Sequence, residues 1–178
     1  MIGLLLPRCT IRRAILLLIL PALAAAAPAR AQDEPAAREY AVWSALLDTR
    51  DGGHDVVNST RNAGLFKAET ILWRGRPLPV PDDVLQSFCE ANAKPLPLAN
   101  HFRTRVPVQL RSVTEAKGPD SGATVWLTRV GFSGDGRTAL VHLGSHCGPL
   151  CGQEAYYVLA LGGDGRWTVT REYVTREY

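Results

Sequence analysis

Five side chains able to do chemistry crowd one short stretch near the C-terminus: His142, His146, Cys147, Cys151 and Glu154. Two imidazoles, two thiols and a carboxylate are the donor types of a zinc site. Two thiols separated by three residues also suit a disulfide or a redox pair, and a histidine near a carboxylate is a common acid–base couple. Strand alternation divides the set, because His142 and His146 fall on one face and Cys147 on the other. A tetrahedral metal site would therefore require the tip to twist. A three-residue hairpin loop instead sets Cys147 opposite Cys151, at a Cα separation that a disulfide spans. A Cys147–Cys151 disulfide is the expectation. It closes so small a loop that it stabilises by only about 2 kcal/mol on the chain-entropy account. His142, His146 and Glu154 stay as pocket candidates, and an enzyme follows if they line a concavity together. His54 and Asp55 are adjacent, but neighbours in a strand face opposite ways. No catalytic residue, cofactor or metal ligand is assigned.

The segment Cys147-Gly-Pro-Leu-Cys151 resembles the Cys-Gly-Pro-Cys of thioredoxin-like proteins with one residue added. That motif opens a helix, whose N-terminus lowers the thiol pKa. Here a strand follows, so redox catalysis is not expected.

The elements that must position these residues are strands. Thr124–Phe132, Thr138–Leu143, Ala155–Leu161 and Trp167–Tyr173 are runs rich in β-branched and aromatic residues. Asp135-Gly136 and Asp164-Gly165 punctuate them, and Asp-Gly between such runs is a strong hairpin signal. Both alternate sets of Ala155–Leu161 are apolar, so this strand needs cover on each face. Upstream, Pro35–Asp48 reads as a helix capped by Asp33 or Glu34, with a stripe of Tyr40, Trp43 and Leu47 widened by Ala36 and Leu46. Asp82–Ala93 reads as a second helix, capped by Asp82, with Val84, Leu85, Phe88 and a buried, reduced Cys89 facing inward. Shorter strands are expected at His54–Thr60, Thr70–Trp73 and Arg105–Arg111, the last at a sheet edge because Pro107 cannot donate to a ladder. The expected fold is α+β, an antiparallel sheet of five or six strands ending in a C-terminal meander and covered by one or two helices.

Residues 1–31 read as a secretory signal peptide. Arg8, Arg12 and Arg13 precede the apolar run beginning Ala14-Ile-Leu-Leu-Leu, and Ala29-Arg-Ala31 supplies small residues for cleavage between Ala31 and Gln32. Residues 32–178 then form a single globular domain. Cleavage removes four of the 20 basic residues and none of the 17 acidic ones, so the formal charge turns from +3 to −1. No basic stripe remains to bind nucleic acid. No membrane anchor remains either, and the protein is expected in a bacterial periplasm or secreted.

Three resemblances bear on function. Phe132-Ser-Gly-Asp-Gly-Arg-Thr-Ala-Leu-Val141 looks like a strand pair of a β-propeller blade, but one copy cannot build a propeller. Val130-Gly-Phe132, Ala139-Leu-Val141, Cys147-Gly-Pro-Leu-Cys-Gly152, Tyr157 and Gly165-Arg-Trp167 resemble a set of uncharacterised exported bacterial proteins, over the final third of the chain. The order of helices followed by a long meander ending in Gly-x-Trp is similar to nuclear-transport-factor-like folds. That likeness implies a pocket between sheet and helices, which hosts either enzymes or binding modules. The expectation is an exported small protein with a non-catalytic binding or structural role and an unknown ligand or partner. The alternative is a small-molecule pocket enzyme.

Overall fold

The last three strands carry the architecture, because their hairpins are written into local sequence. β7 (Thr138–Gly148), β8 (Cys151–Leu161) and β9 (Trp167–Glu177) form an antiparallel meander. Gly136 and Gly165 sit in the turns leading into β7 and β9 with φ of 70° and 76°, the left-handed conformation that Asp-Gly turns use. The computed structural model describes residues 36–51, 54–61, 71–115, 123–148 and 150–177. The proposed signal peptide, its cleavage site and the caps Asp33 and Glu34 lie outside the described residues.

The remaining elements, in chain order, are α1 (Ala37–Leu47), β1 (His54–Val57), β2 (Leu72–Trp73), β3 (Arg76–Pro77), α2 (Asp82–Ala91), β4 (Val108–Arg111), β5 (Thr124–Leu127) and β6 (Gly131–Phe132). Seven described strands make one sheet in the order β4-β1-β5-β7-β8-β9, with β6 also paired to β7; β2 and β3 form a separate small hairpin. The sheet departs from the expected antiparallel one of five or six strands. It is mixed, because β1 lies between β4 and β5 and runs parallel to both. Parallel partners must come from distant sequence, and nothing local in His54–Val57 announces them. β4 does lie at the edge, as Pro107 suggested.

Both faces of β8 are covered, by a different helix each. Tyr40, Trp43, Leu46 and Leu47 of α1 pack with Val141, Tyr157 and Leu159. Val84, Leu85 and Phe88 of α2 pack with Leu140, Tyr156 and Val158 on the other side. α2 starts after Pro81 with no side-chain cap, so Asp82 does not cap it. Cys89 is half-buried rather than buried, at the margin of the α2 cluster, and takes no part in a disulfide.

The expected strand Thr124–Phe132 is broken. β5 pairs Leu127 with Leu143 and β6 pairs Gly131 with Leu140, so Thr128, Arg129 and Val130 bulge opposite only two residues of β7. The helices satisfy the backbone of this bulge. The Thr128 carbonyl accepts from Trp43 Nε1 at 3.1 Å, and the Val130 N–H donates to Glu39 Oε2 at 3.1 Å. Asn92, at the end of α2, accepts from the Arg129 N–H at 2.8 Å and donates to its carbonyl at 3.0 Å. Arg129 in turn grips the Glu39 carboxylate with Nε and Nη2, each at 2.7 Å. Glu39 is 2% exposed, a buried charge made tolerable by full pairing.

Candidate functional site

His142, Gly144 and His146 alternate along β7 and so share the α2 face, where Gly144 pairs with Glu154 of β8. Trp126 of β5 pairs with Gly144 and adds its ring to that face. Gly144 has no side chain, and the space it leaves is occupied: a Cβ there would lie 3.5 Å from Arg61 Nη1 and 3.5 Å from Glu154 Cγ. Arg61 reaches across this glycine to donate to Glu154 Oε1 at 2.9 Å. Nothing local in the sequence marks Arg61, which lies past the end of β1 and meets Glu154 only through the sheet.

Arg61 is held by its backbone. Its N–H donates to the Leu127 carbonyl at 2.7 Å, carrying the contact between β1 and β5 one step further. The preceding Thr60 is buried and stitched to Leu96 in both directions, its N–H donating to the Leu96 carbonyl and its hydroxyl accepting from the Leu96 N–H, each at 2.8 Å. The Pro-rich connector Lys94–Leu98 is thus a clamp on the strand end that carries Arg61.

Together these residues line a cleft of about 490 Å³. Gly144, Ser145 and Trp126 form its floor, Arg61, His146 and Glu154 its polar wall, and Val57, Pro95 and Val113 its apolar rim. The Trp126 and His146 rings meet nearly edge to face, 6.3 Å apart at 74°. A cleft of this size, mostly apolar with a few polar groups, is typical of small-molecule sites.

Two ionisable groups, His142 and Glu154, are moved from their ordinary values. Burial holds the His142 imidazole down at about 4, outweighing the opposing pull of Glu154. Its Nε2 lies 3.9 Å from Glu154 Oε2. Partial burial raises the Glu154 carboxyl, but the Arg61 hydrogen bond and charge, with His142 and Arg176, bring it below the usual carboxylate range. Near neutrality, then, His142 is neutral and Glu154 ionised. General acid–base work needs a pKa near the working pH, and neither group has one.

The structure therefore brings His146 and Glu154 into one cleft and sets His142 against Glu154 behind it. Cys147 and Cys151 stand outside, at the exposed hairpin tip, with Cα atoms 5.0 Å apart and sulfurs at bonding distance. They are not directly opposed as expected: Gly148 pairs with Cys151, and the register shifts at Cys147, because the loop between paired residues is one residue shorter. His54 and Asp55 point apart. Asp55 bonds Arg111 Nε at 3.2 Å, while burial and then the Arg50 charge lower the His54 pKa. Among the described residues, no group of three or more His, Cys, Asp or Glu side chains is placed to hold a metal ion.

Two further polar features were not anticipated. On the α1 face, Arg50 donates to the Tyr157 hydroxyl at 3.3 Å and to Ser145 Oγ at 3.2 Å, and Tyr157 donates to Glu172 at 2.6 Å. Burial, then the Glu172 hydrogen bond, raises the Tyr157 phenol, so it stays a donor. A larger hollow of about 700 Å³ lies along α1 between Tyr40, Ser44 and the segment Asn100–Arg103. Its polar groups are occupied by that connector: Ser44 Oγ accepts from the Arg103 N–H and Tyr40 from the Ala99 N–H. The smaller cleft is the one that brings a carboxylate and a guanidinium together in its wall.

No protein-family model, no curated protein and no solved structure matches the chain. No described helix is long and apolar enough to cross a membrane.

Proposed function

We propose that this is an exported, non-catalytic binding protein whose ligand is a small molecule seated in the Gly144 cleft. One observation carries the reading: a side-chain-free floor residue lies under a charged pair at the mouth of a largely apolar cleft. The contact between His142 and Glu154 favours the pocket-enzyme alternative, but their fixed protonation states suit binding better than proton transfer. A cysteine pair at disulfide distance is compatible with an oxidising compartment. With the N-terminal apolar run and Ala29-Arg-Ala31, it supports export of one domain beginning at Gln32, in a periplasm or outside the cell.

Two measurements test this. Intact mass of the exported protein is expected to correspond to a chain starting at Gln32, and a full-length product would refute the export claim. Ligand-detected NMR with a small-fragment library is expected to give hits on the wild type that vanish in Gly144→Val, whose methyl groups displace Arg61 and Glu154. Hits that persist in the variant, or an absence of hits on the wild type, would refute the cleft as the binding site.

A further inference from the structure

The charges around the cleft are unequal in number and in access. Glu154 is flanked by two cations, Arg61 at 2.9 Å and Arg176, its register partner on β9, which also lowers its pKa. Asp55, also on this face, is matched by Arg111. The cation is also the outer member of the pair, with side-chain exposure of 45% for Arg61 against 19% for Glu154. An incoming ligand therefore meets positive charge first.

The guanidinium also has an edge to offer. Arg61 uses Nη1 on Glu154, and Nε and Nη2 make no hydrogen bond among the described residues. Nε and Nη2 together form the side-on edge of the fork, the geometry that matches a carboxylate with two parallel bonds. The molecule contains an instance of that match: Arg129 grips Glu39 with the same two nitrogens, each at 2.7 Å. Beside the Arg61 edge stand the Trp126 and His146 rings at their steep angle, with Val57, Pro95 and Val113 opposite. Such a corner packs a flat, ring-bearing body against its two rings.

Building on the binding reading above, we infer that the ligand is a monocarboxylate with a flat, ring-bearing apolar body. Its carboxylate takes the Nε/Nη2 edge of Arg61, and its body packs against Trp126 and His146.

Isothermal titration at neutral pH with naphthalene-2-carboxylate, its neutral isostere 2-naphthamide, and acetate separates the contributions. On the wild-type protein the naphthoate is expected to bind about 10-fold or more tighter than the amide, the scale of a charge-assisted bidentate contact. Acetate, lacking the body, is expected to bind far more weakly than either. In Arg61→Gln, with folding checked by thermal melting, naphthoate should fall to the affinity of the amide while the amide changes little. Equal binding of naphthoate and amide, or a preference that survives Arg61→Gln, overturns the carboxylate assignment and leaves the cleft a site for neutral flat molecules. Naphthoate binding that survives Gly144→Val places the probe elsewhere and overturns the inference as well. If neither ring compound binds, the ligand class is wrong, and the fragment experiment alone then decides whether the cleft binds anything.

Discussion

Two carboxylate–guanidinium pairs tie this molecule together, and they are built to opposite ends. Glu39 and Arg129 meet in the bulge between β5 and β6, where the carboxylate takes both nitrogens of the fork and also accepts from the N–H groups of Val130 and Ala36. Glu154 and Arg61 meet over Gly144 through one 2.9 Å contact, with the guanidinium half exposed. The first pair replaces backbone hydrogen bonds that the broken strand cannot make. The second leaves two nitrogens of its arginine without a hydrogen bond among the described residues, on a side chain that lines the cleft. What separates the two pairs is how fully each charged group is used, not which residues are present.

The sharpest way to break the comparison is to delete each carboxylate. Glu39→Ala strands a largely buried guanidinium and two backbone donors, and is expected to cost about 3 kcal/mol. Glu154→Ala should cost less than about 1 kcal/mol, as for an exposed pair. Urea denaturation measures both, and similar losses would abolish the distinction.

A glycine accompanies each pair. A Cβ on Gly131 would lie 2.5 Å from the Phe88 backbone, which cannot yield without moving α2, so Gly131→Ala should cost about 3 kcal/mol. A Cβ on Gly144 meets only ordinary 3.5 Å contacts, so Gly144→Ala should stay within about 0.5 kcal/mol of wild type. Equal shifts in the thermal midpoint would show that α2 is not clamped there.

Acid probes the histidine behind the open pair. The unfolded chain takes the His142 proton near its ordinary 6.5, but the folded chain only at about 4. Stability due to this residue is therefore complete above about 6.5 and is lost as pH falls toward 4, by about 3 kcal/mol. His54, also lowered, acts with the same sign. Denaturant midpoints at pH 7 and pH 4.5 should differ less in His142→Phe than in wild type, and an unchanged difference would refute the assignment.

A moderate effect belongs to the hairpin tip beyond the cleft. Cys147→Ser should cost about 2 kcal/mol, the chain-entropy value for so short a loop. Peptide mapping without reductant should recover Cys147 linked to Cys151, and a peptide linking Cys89 to the tip would refute the pairing.

The sequence made plain whatever depends on neighbours. Asp135-Gly136 and Asp164-Gly165 announced their turns, Ala155–Leu161 its two buried faces, and the Tyr40–Trp43–Leu47 stripe its helix. It hid whatever depends on distant partners. Glu39 lies inside that stripe and reads as a stray polar residue until Arg129 is brought to it. Thr124–Phe132 reads as one strand because its bulge is sustained by Trp43 and Asn92, from other elements. His146 and Glu154 were visible as candidates by residue type, whereas Arg61 was not, since an arginine after a short strand carries no local signal. The cleft exists only where four strands and a connector meet.

The position of β1 has a consequence for how the chain comes to be folded. The β7–β8–β9 hairpins need only near neighbours and can zip within their own stretch of sequence. β1 is made early, yet both of its flanking strands lie far downstream, and it pairs parallel to each. Until β4 and β5 have been synthesised, neither edge of β1 has its partner, and Val56 and Val57 lack their final shelter. The hairpins are therefore expected to form first, with β1 docking later and bringing Arg61 over Gly144 as the sheet closes.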